Sequence, residues 1–111
     1  MKVDDLVIYQ KALELTTKIY RLIEANSLLK KDYSLCDQIK RASVSIATNI
    51  SEGYFRSRKQ TKNYLEIAAG STNEVITLLK IINKVYNIKT DSLQDEFIIL
   101  CKQINSFSSS F

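Results

Sequence analysis

Apolar residues recur along this chain with the spacing of α-helices, in four blocks separated by polar segments. In the first block they step by four, three, four and three residues from Ile8 to Leu22. Similar steps run from Leu35 to Gly53, from Leu65 to Tyr86 and from Leu93 to Phe107. Steps that average about 3.5 residues place these side chains on one face of each helix, as in an antiparallel bundle. No segment alternates with period two for long enough to indicate a strand.

The pattern therefore predicts an all-α protein with four helices near residues 5–25, 35–54, 58–86 and 91–107. Short connections between long helices favour an antiparallel up-down-up-down four-helix bundle. There is no internal repeat and no linker in the 111 residues, so we expect a single domain over 1–111. The serine-rich end, residues 108–111, is predicted to be frayed.

Residues suited to helix ends stand at the breaks between the blocks. Ser34 is the predicted N-cap of the second helix, and Ser57 that of the third. Asn87 stands where a helix tolerates a left-handed C-terminal residue. Thr90 or Asp91 is expected to cap the fourth helix.

The composition argues against most enzyme classes. The chain has no His, which excludes Ser-His-Asp triads, Cys-His dyads and His-ligated metal sites. Its two Cys cannot close a structural zinc site, and its two Gly are too far apart for a phosphate-binding loop. We therefore expect no enzymatic activity, catalytic residue, metal or cofactor, and no small-molecule substrate.

The two cysteines and the apolar runs also predict the compartment. Cys36 and Cys101 lie among apolar neighbours, which favours reduced thiols in the core over a disulfide. The N-terminus lacks the apolar run of a signal peptide. The longest apolar stretch, Phe97 to Cys101, is far shorter than the ~20 residues of a membrane span. The expectation is a cytoplasmic protein that does not bind membranes.

A basic cluster is the strongest candidate for a binding site. The net charge is only +4, but residues 35–86 carry eight cationic and four acidic side chains. Arg56, Arg58, Lys59 and Lys62 lie within seven residues, beside Tyr54 and Phe55. Cations bind phosphates, and aromatic rings stack on unpaired bases. The alternative is a solvated, charge-rich turn without a ligand.

Lys40 and Arg41 are further candidates for contacts to nucleic acid. They precede Arg56 by about 15 residues on the same predicted helix, which separates them by ~22 Å. One copy of the bundle would thus carry positive charge toward both ends. A ring of copies would repeat these charges into a larger basic surface that includes Lys40 and Arg41.

Several motifs resemble one bacterial family. Residues 45–56 read Ser-Ile-Ala-Thr-Asn-Ile-Ser-Glu-Gly-Tyr-Phe-Arg. This segment is similar to the Ser-Ile-Pro-Ser-Asn-Ile-Ala-Glu-Gly-Tyr-Gly-Arg signature of the 23S rRNA-intervening-sequence proteins. Residues 9–12, 37–42 and 64–71 also match the family's pattern, as does Glu74. Ala47 replaces the family's proline, which predicts a straighter second helix. Phe55 replaces the family's second glycine, so the turn after the second helix is expected to differ from that of relatives.

The resemblance implies a four-helix bundle that assembles into ring-like homo-oligomers, often pentamers, and whose biochemical function is largely unassigned. A related branch, the accessory proteins of diversity-generating retroelements, is basic and binds nucleic acid. The resemblance also marks a set of residues that we interpret as a structural network, either within the bundle or across a subunit interface. The set comprises Asn49, Glu52, Gly53, Tyr54, Arg56, Gly70, Ser71 and Glu74.

Two members of this set invite a more specific hypothesis. Glu52 could act as a general base, but no nucleophile or metal partner accompanies it, and an ion pair with Arg56 is the preferred interpretation. Gly70 interrupts a helix interior, where glycine costs about 1 kcal/mol relative to alanine. Close approach of the second helix is the expected reason, so Gly70→Leu should destabilise the bundle or its assembly.

Two hypotheses on function follow. The first is a non-enzymatic, oligomeric four-helix bundle that binds RNA or DNA through its basic residues in an accessory or scaffolding role. The alternative is a protein–protein interaction module with no role in nucleic-acid binding, in which the oligomer or a groove on it docks a protein.

Overall fold

The computed structural model describes residues 2–111, and all regular secondary structure within them is helical. A short 3-10 helix at Val3–Asp5 precedes α1 (Val7–Glu24). A single turn, α2 (Ser27–Lys30), leads into α3 (Tyr33–Gly53). The two remaining long helices are α4 (Arg58–Tyr86) and α5 (Asp91–Ser108). The helical class and the four long helices confirm the pattern-based prediction, while α2 lies in a segment predicted to be only a polar connection.

The long helices pack in the order α1, α3, α4 and α5 around one core, and each contacts its two neighbours. Contacts between α3 and α4 show that these two helices are antiparallel, because Tyr86 bonds to Asp32 at one end and Thr61 bonds to Gly53 at the other. The molecule is elongated, with principal extents of 44 × 21 × 19 Å. It therefore has two ends: the basic end at the α3–α4 turn, and the opposite end at α2.

The core is built from the predicted apolar stripes. The largest fully buried side chains come from all four long helices and from α2, and they include Leu15, Ile46, Leu79 and Phe97. Burying a side chain of this size stabilises the fold by about 1.5–3 kcal/mol. At the edges of the stripes, Leu22, Leu35, Tyr86, Leu93 and Phe107 are only partly buried.

Both cysteines are free and buried, which agrees with the interpretation as core thiols. Cys36 Sγ lies 3.1 Å from the carbonyl oxygen of Leu29, and Cys101 Sγ lies 3.8 Å from that of Ala69. Burial raises the pKa of each thiol above its ordinary value. The thiolate, which is the reactive form, is therefore disfavoured at both positions.

The helix ends confirm some predicted caps and correct one. Ser57 caps α4 by accepting a hydrogen bond from the Gln60 amide at 3.3 Å, and Asn87 is left-handed at φ 54°. The prediction of Ser34 as the N-cap of α3 is wrong. The cap is Asp32, whose carboxylate accepts from the Leu35 amide at 3.2 Å, so the helix begins two residues earlier than expected.

The N-terminus of α5 differs from expectation in its chemistry. Thr90 occupies the N-cap position, but its side chain does not cap the helix. Its buried hydroxyl instead donates to the carbonyl oxygen of Leu79 at 2.9 Å and accepts from the side-chain amide of Gln94 at 2.9 Å. This side chain therefore ties α5 back to α4.

The last residues make definite contacts, although the sequence predicts that they fray. Ser108 is buried at the end of α5, and the Phe111 ring meets the Phe107 ring edge-on at 5.2 Å between centroids. The Arg58 guanidinium donates to the carbonyl oxygen of Ser110 at 2.9 Å. The segment thus closes over the basic end of the bundle.

Candidate nucleic-acid interface

The turn between α3 and α4 is fixed by Gly53. This residue is buried, and an added Cβ would lie 2.8 Å from the Cβ of Tyr64 on α4. The Thr61 hydroxyl donates to the Gly53 carbonyl at 2.8 Å. Glycine therefore permits the close approach of the two helices that brings the start of α4 beside the end of α3.

Phe55 adopts a left-handed backbone at φ 59° within this turn. That conformation strains any residue with a side chain and is easy for glycine, which the family pattern has at this position. The ring is 81% exposed and lies 4.3 Å from the Tyr54 ring, between centroids. The turn thus keeps the geometry of a glycine turn while presenting an aromatic ring to solvent.

The two arginines of the basic cluster are already engaged within the chain. Arg56 Nε donates to the Glu52 carbonyl oxygen at 2.9 Å, and its guanidinium lies 3.4 Å from the Glu52 carboxylate. Arg58 bonds to Ser110, and its guanidinium lies 5.6 Å from the centroid of the Phe111 ring. Both side chains are therefore held at the basic end in defined positions.

The two lysines are exposed and unpaired. Neither Lys59 nor Lys62 forms an ion pair or a side-chain hydrogen bond with another residue of the described chain. Both lie in the first two turns of α4, where helix amides add to the positive potential. These two lysines are therefore the cations of the cluster that can turn fully toward a ligand.

Lys40 and Arg41 lie on α3 away from the basic end, as the helix spacing predicts. Arg41 pairs with Asp37 at 2.9 Å, and the Lys40 ammonium sits 5.0 Å from the centroid of the Tyr20 ring. Each side chain therefore has a partner, and neither joins the α3–α4 cluster within one copy.

The family-motif residues separate into two groups. Asn49 donates to the carbonyl and the hydroxyl oxygens of Ser45, at 2.8 and 2.9 Å, and Ser45 shares a hydrogen bond with Ser71 of α4 at 2.9 Å. The Glu52–Arg56 pair lies one turn further along α3 and has no hydrogen bond to Asn49. The first group joins two helices, whereas the second stays within the turn.

The expectation for Gly70 is wrong for the bundle itself. The position is exposed, and an added Cβ would meet no atom within 4 Å, so no helix of the same chain approaches it. Glu74, one turn further along α4, is exposed as well. The close approach through glycine occurs at Gly53 instead.

A cavity of about 270 Å³ lies beneath the α3–α4 turn, and the sequence gives no signal for it. Its wall combines Leu6 before α1, Ile50 and Leu65 of facing helices, and Phe107 and Phe111 from the end of the chain. Tyr54, Phe55 and Arg56 also line it. Burial raises the pKa of the Tyr54 hydroxyl, and the Asp5 carboxylate adds to the effect.

Among residues 2–111, no helix is both long and apolar enough to span a membrane. No cluster of three or more Cys, Asp and Glu side chains in that range could hold a metal ion.

The bundle and its motif-bearing turn agree with the family comparison. The family model of the 23S rRNA-intervening sequence proteins matches residues 4–109. The chain therefore belongs to the family of 23S rRNA-intervening sequence proteins.

A solved structure supports the same assignment. It is the crystal structure of a protein of unknown function from the S23 ribosomal protein family of Bacteroides thetaiotaomicron, with a TM-score of 0.74 and 27% sequence identity. The match covers 94% of this chain and 96% of that protein. No curated protein matches the chain.

Proposed function

We propose that this protein binds the phosphates of RNA or DNA through the basic end of its bundle, in an accessory role without catalysis. The observation that carries the proposal is the exposed, unpaired state of Lys59 and Lys62 beside the fixed guanidinium groups of Arg56 and Arg58. Phosphate contacts of this kind supply most of the affinity of sequence-independent binding.

Exposed apolar side chains support a second part of the proposal, self-association. Apolar side chains remain exposed on the sides of the bundle, including Leu13 at 45%, Ile67 at 44% and Val85 at 64%. Gly70 leaves open space in the same outer surface of α4 as Ile67. We propose that copies of the chain cover these residues in a closed ring, with the pentamer implied by the family favoured. A ring would present several basic ends to one nucleic acid and raise its affinity through multivalency.

We propose that the protein acts in the cytoplasm. The basic end is proposed to bind and not to catalyse. The Glu52 carboxylate, the one acidic candidate in the cluster, is exposed and bound by Arg56. Its contacts support a structural role in holding the turn.

The phosphate-binding proposal is tested with a duplex DNA of mixed sequence. We expect the variant carrying Arg56→Gln, Arg58→Gln, Lys59→Gln and Lys62→Gln to bind more weakly and with a shallower salt dependence. The log–log slope should fall by about 0.9 for each phosphate that the variant no longer neutralises. The matched control replaces four exposed lysines elsewhere, Lys31, Lys80, Lys84 and Lys89, with glutamine. If both variants bind equally well, the basic end is not the binding surface.

A specific observation favours the alternative of a protein-interaction module. A groove between α1 and α3, with a volume of about 270 Å³, is lined by Tyr9, Leu13, Val44 and Ala47. Thr16, Thr48, Ser51 and Glu52 complete the lining, so the groove offers both apolar and polar contacts to a helix or a side chain of a protein partner. Partner capture that is insensitive to salt and is abolished by Leu13→Asp, together with no binding of any nucleic acid, would favour this function.

A further inference from the structure

The cavity at the basic end of the bundle has the composition of a site for an aromatic ring. Four of its lining residues are aromatic: Tyr54, Phe55, Phe107 and Phe111. Its volume of about 270 Å³ lies near the lower limit of ligand pockets, which suits one planar group and no more. Each copy of the bundle therefore has a cavity in which one planar ligand can contact aromatic side chains.

Aliphatic and aromatic side chains make up most of the cavity wall. The Thr61 hydroxyl lines it but already donates to the Gly53 carbonyl at 2.8 Å. A ligand would therefore be held by its faces, and its polar edge would point to the mouth. This arrangement binds rings without distinguishing among their hydrogen-bonding patterns.

Positive charge lies at the mouth. Arg56 lines the cavity, and Arg58 stands over the Phe111 ring that forms part of the wall, at 5.6 Å from its centroid. Lys59 follows Arg58 in the first turn of α4 and is unpaired. The site thus combines an apolar interior for a ring with a cationic rim for a group carrying negative charge.

Packing does not explain the conformation of Phe55. The residue keeps a left-handed backbone at φ 59°, yet its side chain is 81% exposed and gains little from burial. Strained residues persist where the surrounding structure imposes them, and they concentrate at ligand sites. Phe55 thus places an exposed aromatic ring in the wall of the cavity, together with Arg56.

We propose that this cavity takes one unpaired nucleobase of a single-stranded nucleic acid, while the flanking phosphates contact the cations of the rim. The inference rests on the proposed binding of nucleic acid and specifies its substrate class. A base is a planar aromatic ring attached to phosphates on either side, and stacking on aromatic side chains tolerates any sequence. A paired base cannot enter, so the cavity distinguishes single strands from duplexes.

The test compares three DNA probes of equal length, about 12 nucleotides, at one low salt concentration. The probes are a single strand, the same strand with all bases removed, and a duplex. We expect the protein to bind the single strand at least fivefold more tightly than the abasic strand, because both carry the same phosphates and only one can stack.

Two variants remove the site in different ways. Phe55→Gly deletes the exposed ring and relieves the strained backbone, whereas Leu6→Phe fills the cavity from its wall. Each should abolish the preference for the single strand over the abasic strand and leave duplex binding unchanged. The matched control is Tyr33→Ser, since Tyr33 is an equally exposed aromatic, at 79%, on the opposite end of the bundle. This control should keep the full preference.

The outcomes separate the two proposals. Equal affinity for the single strand and the abasic strand, or a preference that survives Phe55→Gly, would overturn the base-binding site and leave phosphate binding intact. If the protein binds none of the three probes, both the proposed function and the inference are overturned.

Discussion

The two glycines of this chain should respond in opposite directions to the same substitution. Gly53→Ala places a Cβ 2.8 Å from the Cβ of Tyr64, whereas Gly70→Ala places a Cβ in open space. Carbon atoms in contact are separated by about 3.5–4.0 Å, so α3 and α4 must separate by about 0.7 Å or more at Gly53. Since the Tyr64 Cβ is attached to the helix backbone, this strain cannot be relieved by rotating a side chain.

The magnitudes follow from packing and helix propensity. Overpacking of this kind costs about 1–3 kcal/mol, of which alanine recovers about 0.4–1 kcal/mol by restricting the unfolded chain. Gly53→Ala should therefore lower the free energy of unfolding by about 0.6–2 kcal/mol. Gly70→Ala should raise it by about 0.8–1.0 kcal/mol, because the position lies in an exposed helix interior.

Urea unfolding and thermal melts at one fixed protein concentration measure the difference, and the concentration must be fixed because assembly couples to stability. At about 4 °C per kcal/mol for a domain of this size, the Tm values of the two variants should differ by about 6–12 °C. A Gly53→Ala variant as stable as the unsubstituted protein would refute the assignment of Gly53 as the point of close approach. Lower stability in Gly70→Ala would indicate that a second copy of the chain packs against Gly70 in the proposed ring, because no atom of the same copy lies near an added Cβ.

Three further predictions concern strain, pH and thiol reactivity. Phe55→Gly should raise the free energy of unfolding by about 0.5–1 kcal/mol in urea titrations, because glycine adopts φ 59° without strain; an unchanged or lower value would contradict the strained turn. The Tyr86 hydroxyl donates a 2.6 Å hydrogen bond to Asp32, and this bond, aided by burial, raises the pKa of Tyr86 above its ordinary value. The contribution of this hydrogen bond to stability is therefore complete below about pH 10 and is lost as the pH rises through the raised pKa. Stability curves of Tyr86→Phe should therefore fall less steeply above pH 10 than those of the unsubstituted protein, and identical slopes would exclude this contribution. Cys36 and Cys101 should react with an aromatic disulfide reagent many times more slowly in the folded than in the urea-unfolded protein, and equal rates would contradict their burial.

The sequence predicts the helices well because their apolar periodicity is strong and their ends carry recognisable caps. Ser57 and Asn87 perform the roles that local chemistry assigns to them. Asp32 caps α3 in place of Ser34 because its carboxylate accepts from the Leu35 amide, and both residue types suit an N-cap. The four-residue helix α2 is too short to leave a periodic signal. Local patterns thus predict the long helices, but they predict a helix boundary only where a single residue suits the cap.

The candidate site could be predicted only in part. The basic cluster is contiguous in sequence, so its members stay together in the fold. The pairing of Arg58 with Ser110 joins residues that are 52 positions apart, and the cavity combines residues from Leu6 to Phe111. Such contacts depend on the relative positions of the helix ends in the folded bundle, and the apolar periodicity does not determine these positions. For the same reason, the sequence suggests a packing role for Gly70 that belongs to Gly53.

The most direct test of the proposed function is size-exclusion chromatography with light scattering. The protein is measured with and without a mixed pool of RNA and DNA, at low and at moderate salt. We predict a discrete homo-oligomer that takes up nucleic acid at low salt and releases it at moderate salt, because phosphate contacts weaken steeply with ionic strength. A protein that stays free of nucleic acid at both salt concentrations would contradict the proposed function and direct the search to protein partners.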